Sequence, residues 1–87
     1  MMKKLKYNRS EFERLLDFGN YYLSKCMHRE ALDKYRLILH ELLWCRWNEY
    51  SDIYDQAVNG LQRLENSSDE YVWETCSQLL ESLSNTE

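Results

Sequence analysis

Turn-forming residues are scarce in this chain of 87 residues, which has no proline and only two glycines, Gly19 and Gly60. Strand-rich folds of this size need several tight turns, and tight turns draw on Gly and Pro. The shortage therefore predicts helices joined by short polar links. The length allows one domain, and the hydrophobic share of 44% is enough for a core.

Apolar residues recur at three- and four-residue steps along four segments, which is the pattern of amphipathic helices. The predicted helices span residues 9–26, 29–46, 50–65 and 68–83. Short links favour antiparallel neighbours, so we expect an all-α fold, either a four-helix bundle or two stacked helical hairpins. Residues 1–87 are expected to form this single domain, with 1–7 as a basic N-terminal arm and 84–87 as a frayed tail.

Capping signals mark the start of the first and last predicted helices. Asn8 with Glu11 forms a capping box that a Tyr7–Phe12 contact would support, and Ser10 with Glu13 is a competing box. The run from Ser67 to Glu70 supplies a cap and an acidic first turn for the last helix.

The third segment leaves two questions open. No Pro or Gly separates it from the second segment, so those two helices could run together. Gly60 interrupts its apolar period, at a cost of about 1 kcal/mol relative to Ala. Either close helix packing or a helix end at Asn59-Gly60 would explain this glycine.

Three cysteines, Cys26, Cys45 and Cys76, lie far apart on apolar helical stripes. An odd number at wide spacing favours buried free thiols in a reducing compartment. We therefore expect a cytoplasmic protein. No run of apolar residues in the sequence is long enough to cross a membrane.

Residues 12–45 resemble a single tetratricopeptide repeat, a helical hairpin of 34 residues with a Leu-Gly-x-x-Tyr core. Here the core reads Phe18-Gly19-Asn20-Tyr21-Tyr22, and Ala31 and Tyr35 follow Gly19 by twelve and sixteen residues. Cys26 takes the small position at the turn. The resemblance implies that Gly19 and Ala31 let the two helices approach each other.

The sequence departs from the repeat at Ile38 and Leu43, where the family prefers Ala and Pro, and no second copy follows. The stretch Glu30-Ala31-Leu32, with Tyr35, also looks like the three-helix microtubule-interacting-and-trafficking domain. Both families bind peptides or helices of other proteins. The resemblance therefore implies a chaperone or adaptor that holds a partner helix, and we expect the apolar Leu37 and Trp44 to contact it.

Charge is segregated along the chain. Residues 1–46 hold ten basic and six acidic side chains, a net of +4, whereas residues 47–87 hold one basic and nine acidic side chains, a net of −8. Tyr and Trp rings lie among these acids. Exposed rings supply contact area and carboxylates steer a basic partner. The predicted partner-binding residues are Trp47, Asp52, Tyr54, Asp55, Tyr71, Trp73 and Glu74.

The function that this pattern predicts is a small acidic helical module that binds a basic protein and inhibits or neutralises it. The opposite charges of the two halves also permit a homodimer. A nucleic-acid-associated regulator that uses the basic N-terminal half is a third and weaker hypothesis, because the acidic half opposes a phosphate backbone.

No catalytic pattern in the sequence is complete. His40-Glu41 begins a zinc-protease motif but Trp44 stands where the second His belongs, so no metal site is predicted. Two glycines cannot build a phosphate-binding loop. Cys45 and His40 point in divergent directions on a helix. We therefore expect a protein that is not an enzyme and carries no cofactor.

Overall fold

The computed structural model describes residues 7–43 and 50–84. These contain four helices, α1 (Arg9–Ser24), α2 (His28–Leu43), α3 (Ser51–Leu64) and α4 (Glu70–Ser84). No strand occurs within these two stretches, and the all-α prediction is confirmed. Residues 1–6 of the predicted arm, 44–46 of the second predicted helix and 85–87 of the predicted tail lie outside the described residues.

Helix α1 begins at the predicted capping box. The side-chain Oδ1 of Asn8 accepts a hydrogen bond from the Glu11 amide at 2.9 Å, and Glu11 Oε1 accepts one from the Asn8 amide at 3.1 Å. The rings of Tyr7 and Phe12 meet edge to face at 5.6 Å. Asn8 is thus the cap, and the competing box of Ser10 with Glu13 is wrong.

Helix α1 ends at Ser24, two residues before the predicted end. Cys26 adopts a left-handed conformation with a φ of 60°. Its amide donates to Leu23 O at 3.1 Å, and the Met27 amide donates to Tyr22 O at 2.9 Å. This is a Schellman motif, which reverses the chain before α2. It turns Cys26 out to solvent, so the predicted burial of this thiol is wrong.

Helix α4 begins two residues later than predicted. Asp69 Oδ1 accepts a hydrogen bond from the Tyr71 amide at 3.1 Å, so Asp69 is the cap. Ser67 Oγ accepts one from the Asp69 amide at 3.1 Å and shapes the preceding turn. At the other end, Ser84 belongs to α4 rather than to a tail, and its hydroxyl donates to Leu80 O at 3.2 Å.

The packing order of the helices is that of two stacked hairpins. Helices α1 and α2 form the first hairpin, and α3 and α4 form the second. Helix α3 packs against both helices of the first hairpin, whereas α4 packs against α2 and has almost no contact with α1 among the described residues. In a closed four-helix bundle the first and last helices are usually neighbours, so the stacked arrangement is the one observed.

The centre of the stack is the ring of Tyr35 on α2, which lies between the two glycines. A Cβ placed at Gly19 would be 2.8 Å from ring atom Cε1 of Tyr35, and one placed at Gly60 would be 2.6 Å from Cε2. Gly60 is buried inside α3 and has no left-handed φ. Close packing, rather than a helix end at Asn59-Gly60, therefore explains this residue.

The same contact shows that α2 and α3 are separate helices. A continuous helix would place residues 35 and 60 roughly 38 Å apart at about 1.5 Å per residue. Instead the Tyr35 ring lies against Gly60. The hypothesis that these helices run together is wrong, although the link at residues 44–49 lies outside the described residues.

The core draws on all four helices. Phe12, Ala31, Ile53 and Val72 are among the residues that are fully buried. Cys76 is also buried, as predicted for a structural thiol, while Cys45 lies outside the described residues. Burial, with the nearby Glu65 carboxylate, raises the pKa of the Cys76 thiol to about 11. No helix in the described part of the chain is long and apolar enough to span a membrane.

Candidate protein interface

The predicted residues on α3 lie on different sides of that helix, and Trp47 lies outside the described residues. Asp52 faces α1, where its Oδ2 accepts a hydrogen bond from Arg9 Nη2 at 2.5 Å. This bond lowers the pKa of the Asp52 carboxyl. Tyr54 is half-buried against the core, whereas Asp55 points outward and is exposed. The structure therefore pairs Asp52 with α1 and leaves Asp55, one helical turn further on, facing solvent.

Tyr71, on α4, faces the first hairpin. Its ring is 47% exposed, and the guanidinium carbon of Arg29 lies 4.9 Å from its centre. Arg36 Nη1 donates to the Tyr71 hydroxyl at 3.4 Å. Arg29 and Arg36 of α2 therefore both contact the Tyr71 side chain, and Tyr71 connects α4 to α2.

Trp73 lies on the other flank of α4 from Tyr71, and Glu74 points outward between the two. Successive residues of a helix are about 100° apart, so Tyr71 and Trp73 are on opposite flanks of the buried Val72. Trp73 is 40% exposed and Glu74 is exposed. The predicted exposure of these two rings is observed, but the predicted residues do not form one continuous face.

A row of carboxylates runs along the outer side of α4, and we call it the acidic stripe. It consists of Glu70, Glu74 and Glu81, which are all exposed and follow one another at helical spacing. The sequence of α4 has no basic residue, and none of the three carboxylates makes an ion pair with any described residue. Trp73 adjoins the stripe because it follows Glu70 by three positions.

Glu70 and Glu81 were missed as interface residues from the sequence. Their signal is periodicity, since offsets of four and eleven from Glu70 place all three carboxylates opposite the buried Val72 and Cys76. The net charge of the sequence does not distinguish Glu70 and Glu81 from Asp52 or Asp69. Those two are the acids that the structure pairs with arginines of the first hairpin.

Ion pairs between the hairpins neutralise part of the opposite charge of the two halves of the chain. Arg29 Nε donates to Asp69 Oδ2 at 2.8 Å, which lowers the pKa of the Asp69 carboxyl. Together with the Arg9–Asp52 pair, this contact occupies two arginines of the basic half. The short basic run Lys3, Lys4 and Lys6 lies outside the described residues. Five acids of the described second hairpin lie outside these two pairs: three form the acidic stripe, and the other two are Asp55 and Glu65 of α3 and its end.

A second exposed surface lies on the first hairpin, on the side away from α3, and we call it the hairpin edge. Sequence reasoning singled out Leu37 in this region, and Leu37 is indeed exposed; Trp44 lies outside the described residues. Phe18 and Tyr21 were missed because they lie off the main apolar stripe of α1, Met27 lies in the turn after α1, and Tyr22 was assigned to the apolar stripe. The hairpin edge consists of Phe18, Tyr21, Tyr22, Met27 and Leu37.

A shallow groove of about 240 Å³ opens beside this edge. It is lined by Tyr22 of α1 and by charged residues of α2, namely Arg29, Glu30, Asp33 and Lys34. Such an open, charged groove lacks the enclosed apolar walls of a typical small-molecule site. Across the described residues, no group of three His, Cys, Asp or Glu side chains is placed to hold a metal ion.

No known protein family matches the chain, and neither a curated protein nor a solved structure is significantly similar to it. The likeness of residues 12–45 to a tetratricopeptide repeat therefore depends on the residues themselves. The close approach that this likeness implies at Gly19 is present in the structure.

Proposed function

We propose that this chain is a small helical protein-interaction module whose acidic stripe and Trp73 bind a basic surface of another protein. The observation that carries the proposal is the outer side of α4, where three carboxylates without ion-pair partners among the described residues flank an exposed indole. Trp is enriched at the energetic centres of protein interfaces. Carboxylates around such a ring raise the rate of encounter with a cationic partner.

Contacts with the rest of the fold hold α4 in place, which favours binding of the partner to a preformed surface. Val72 and Cys76 fix one side of α4 in the core, and Arg29 binds both Asp69 and Tyr71 at its first turn. The opposite side therefore presents its carboxylates from a helix that does not need to fold on binding. A preformed site loses less conformational entropy on association than a flexible one.

Inhibition or neutralisation of the basic partner is the consequence that we propose for this binding. A compact chain of 87 residues with a net charge of −4 can cover a cationic surface without supplying chemistry of its own. This consequence rests on the similarity in size and charge to small inhibitory proteins. The cationic surface that is covered would no longer be available to an anionic substrate.

The test uses the immobilised chain to capture proteins from an extract of its host, with the captured proteins identified by mass spectrometry. The variant Glu74→Lys is compared with Asp17→Lys, which makes the same charge change at an exposed position on α1. We expect Glu74→Lys and Trp73→Ser to lose the captured basic protein and Asp17→Lys to retain it.

The purified partner then gives a quantitative test. Glu74→Lys should slow association about tenfold at low salt and reduce its dependence on salt concentration. Equal association rates for Glu74→Lys, Asp17→Lys and the unaltered chain would overturn the proposal. Capture of acidic proteins alone would overturn it as well.

A further inference from the structure

We draw no further inference here: the strongest candidate, the apolar hairpin edge at the turn between α1 and α2, carries none because nothing in the structure shows what covers it.

Discussion

The ring of Tyr35 lies so close to the backbone of Gly60 that a Cβ at residue 60 would be 2.6 Å from ring atom Cε2. The ring has little room to move away from Gly60, because Gly19 also lies close to it and its hydroxyl donates a hydrogen bond to Asn20 Oδ1 at 2.6 Å. One buried side chain thus sets the spacing of α1, α2 and α3. Both glycines of the sequence lie against this ring.

Gly60→Ala is expected to destabilise the fold although alanine is the better helix former. The gain in helix propensity is about 1 kcal/mol, whereas overpacking a buried site costs about 1–3 kcal/mol. Because the new Cβ would overlap the Tyr35 ring, we expect the overpacking cost of Gly60→Ala to be at the upper end of this range. We expect a net loss of about 1–2 kcal/mol, measured by urea denaturation. Asn59→Ala, at the exposed neighbouring position, should be neutral or slightly stabilising.

A double-mutant cycle tests the physical reason for that loss. Tyr35→Leu removes the ring and should itself destabilise the protein, but it also creates space beside residue 60. In the Tyr35→Leu background, Gly60→Ala should cost less than it does alone. Strict additivity of the two free-energy changes would show that the ring is not the cause.

Cys26→Gly is expected to stabilise the protein. Cys26 holds a φ of 60° at the end of α1, and a left-handed conformation costs a side-chain-bearing residue roughly 1 kcal/mol more than it costs glycine. The Cys26 side chain is exposed, so little packing is lost. Thermal unfolding should shift upward by about 4–8 °C for each kcal/mol gained in a domain of this size. Ser24→Gly, inside the last turn of α1, should lower the melting temperature instead.

The Cys76 thiol makes stability depend on alkaline pH. Its pKa is about 11 in the folded chain against an ordinary value of 9.0, so the unfolded chain loses this proton first as pH rises. The stabilising contribution is complete below pH 9 and is lost as pH approaches 11. The free energy of unfolding, measured across this range, should therefore fall more steeply in the unaltered chain than in Cys76→Ala.

Labelling with a thiol reagent gives an independent check of the same burial. Cys26 is exposed and Cys76 is buried, so mass spectrometry of peptides should find Cys26 modified long before Cys76 under native conditions. In urea, Cys76 should be modified at a rate that follows unfolding. Equal rates for the two thiols in the native protein would contradict the buried position of Cys76.

Helix content and the first cap could be predicted because their causes are local. Apolar periodicity and the scarcity of turn-forming residues indicate helices, and the Asn8–Glu11 box needs four consecutive residues. The end of α1 could not be placed, because its signal is usually a glycine and here Cys26 adopts the left-handed conformation. The stacking order depends on contacts between distant residues, such as Tyr35 and Gly60, and a single sequence does not specify them.

The candidate interface could be predicted in part. Trp73 and Glu74 were identified and are exposed, since charge and aromatic content are visible in the sequence. The pairing of Asp52 with Arg9 joins residues 43 positions apart, so the sequence could not separate this acid from the others. The exposed Phe18 and Tyr21 were overlooked because a single helical wheel does not show which sides of α1 have neighbours.

The polar contacts of α4 are gathered at its amino end. There Asp69 caps the helix and binds Arg29, and Tyr71 contacts Arg29 and Arg36. At the carboxyl end, Leu79, Leu80 and Leu83 pack against the core and the Ser84 hydroxyl bonds to its own helix. Fluctuations of α4 should consequently open from the carboxyl end, with amide hydrogens of the last turn exchanging before those near Trp73.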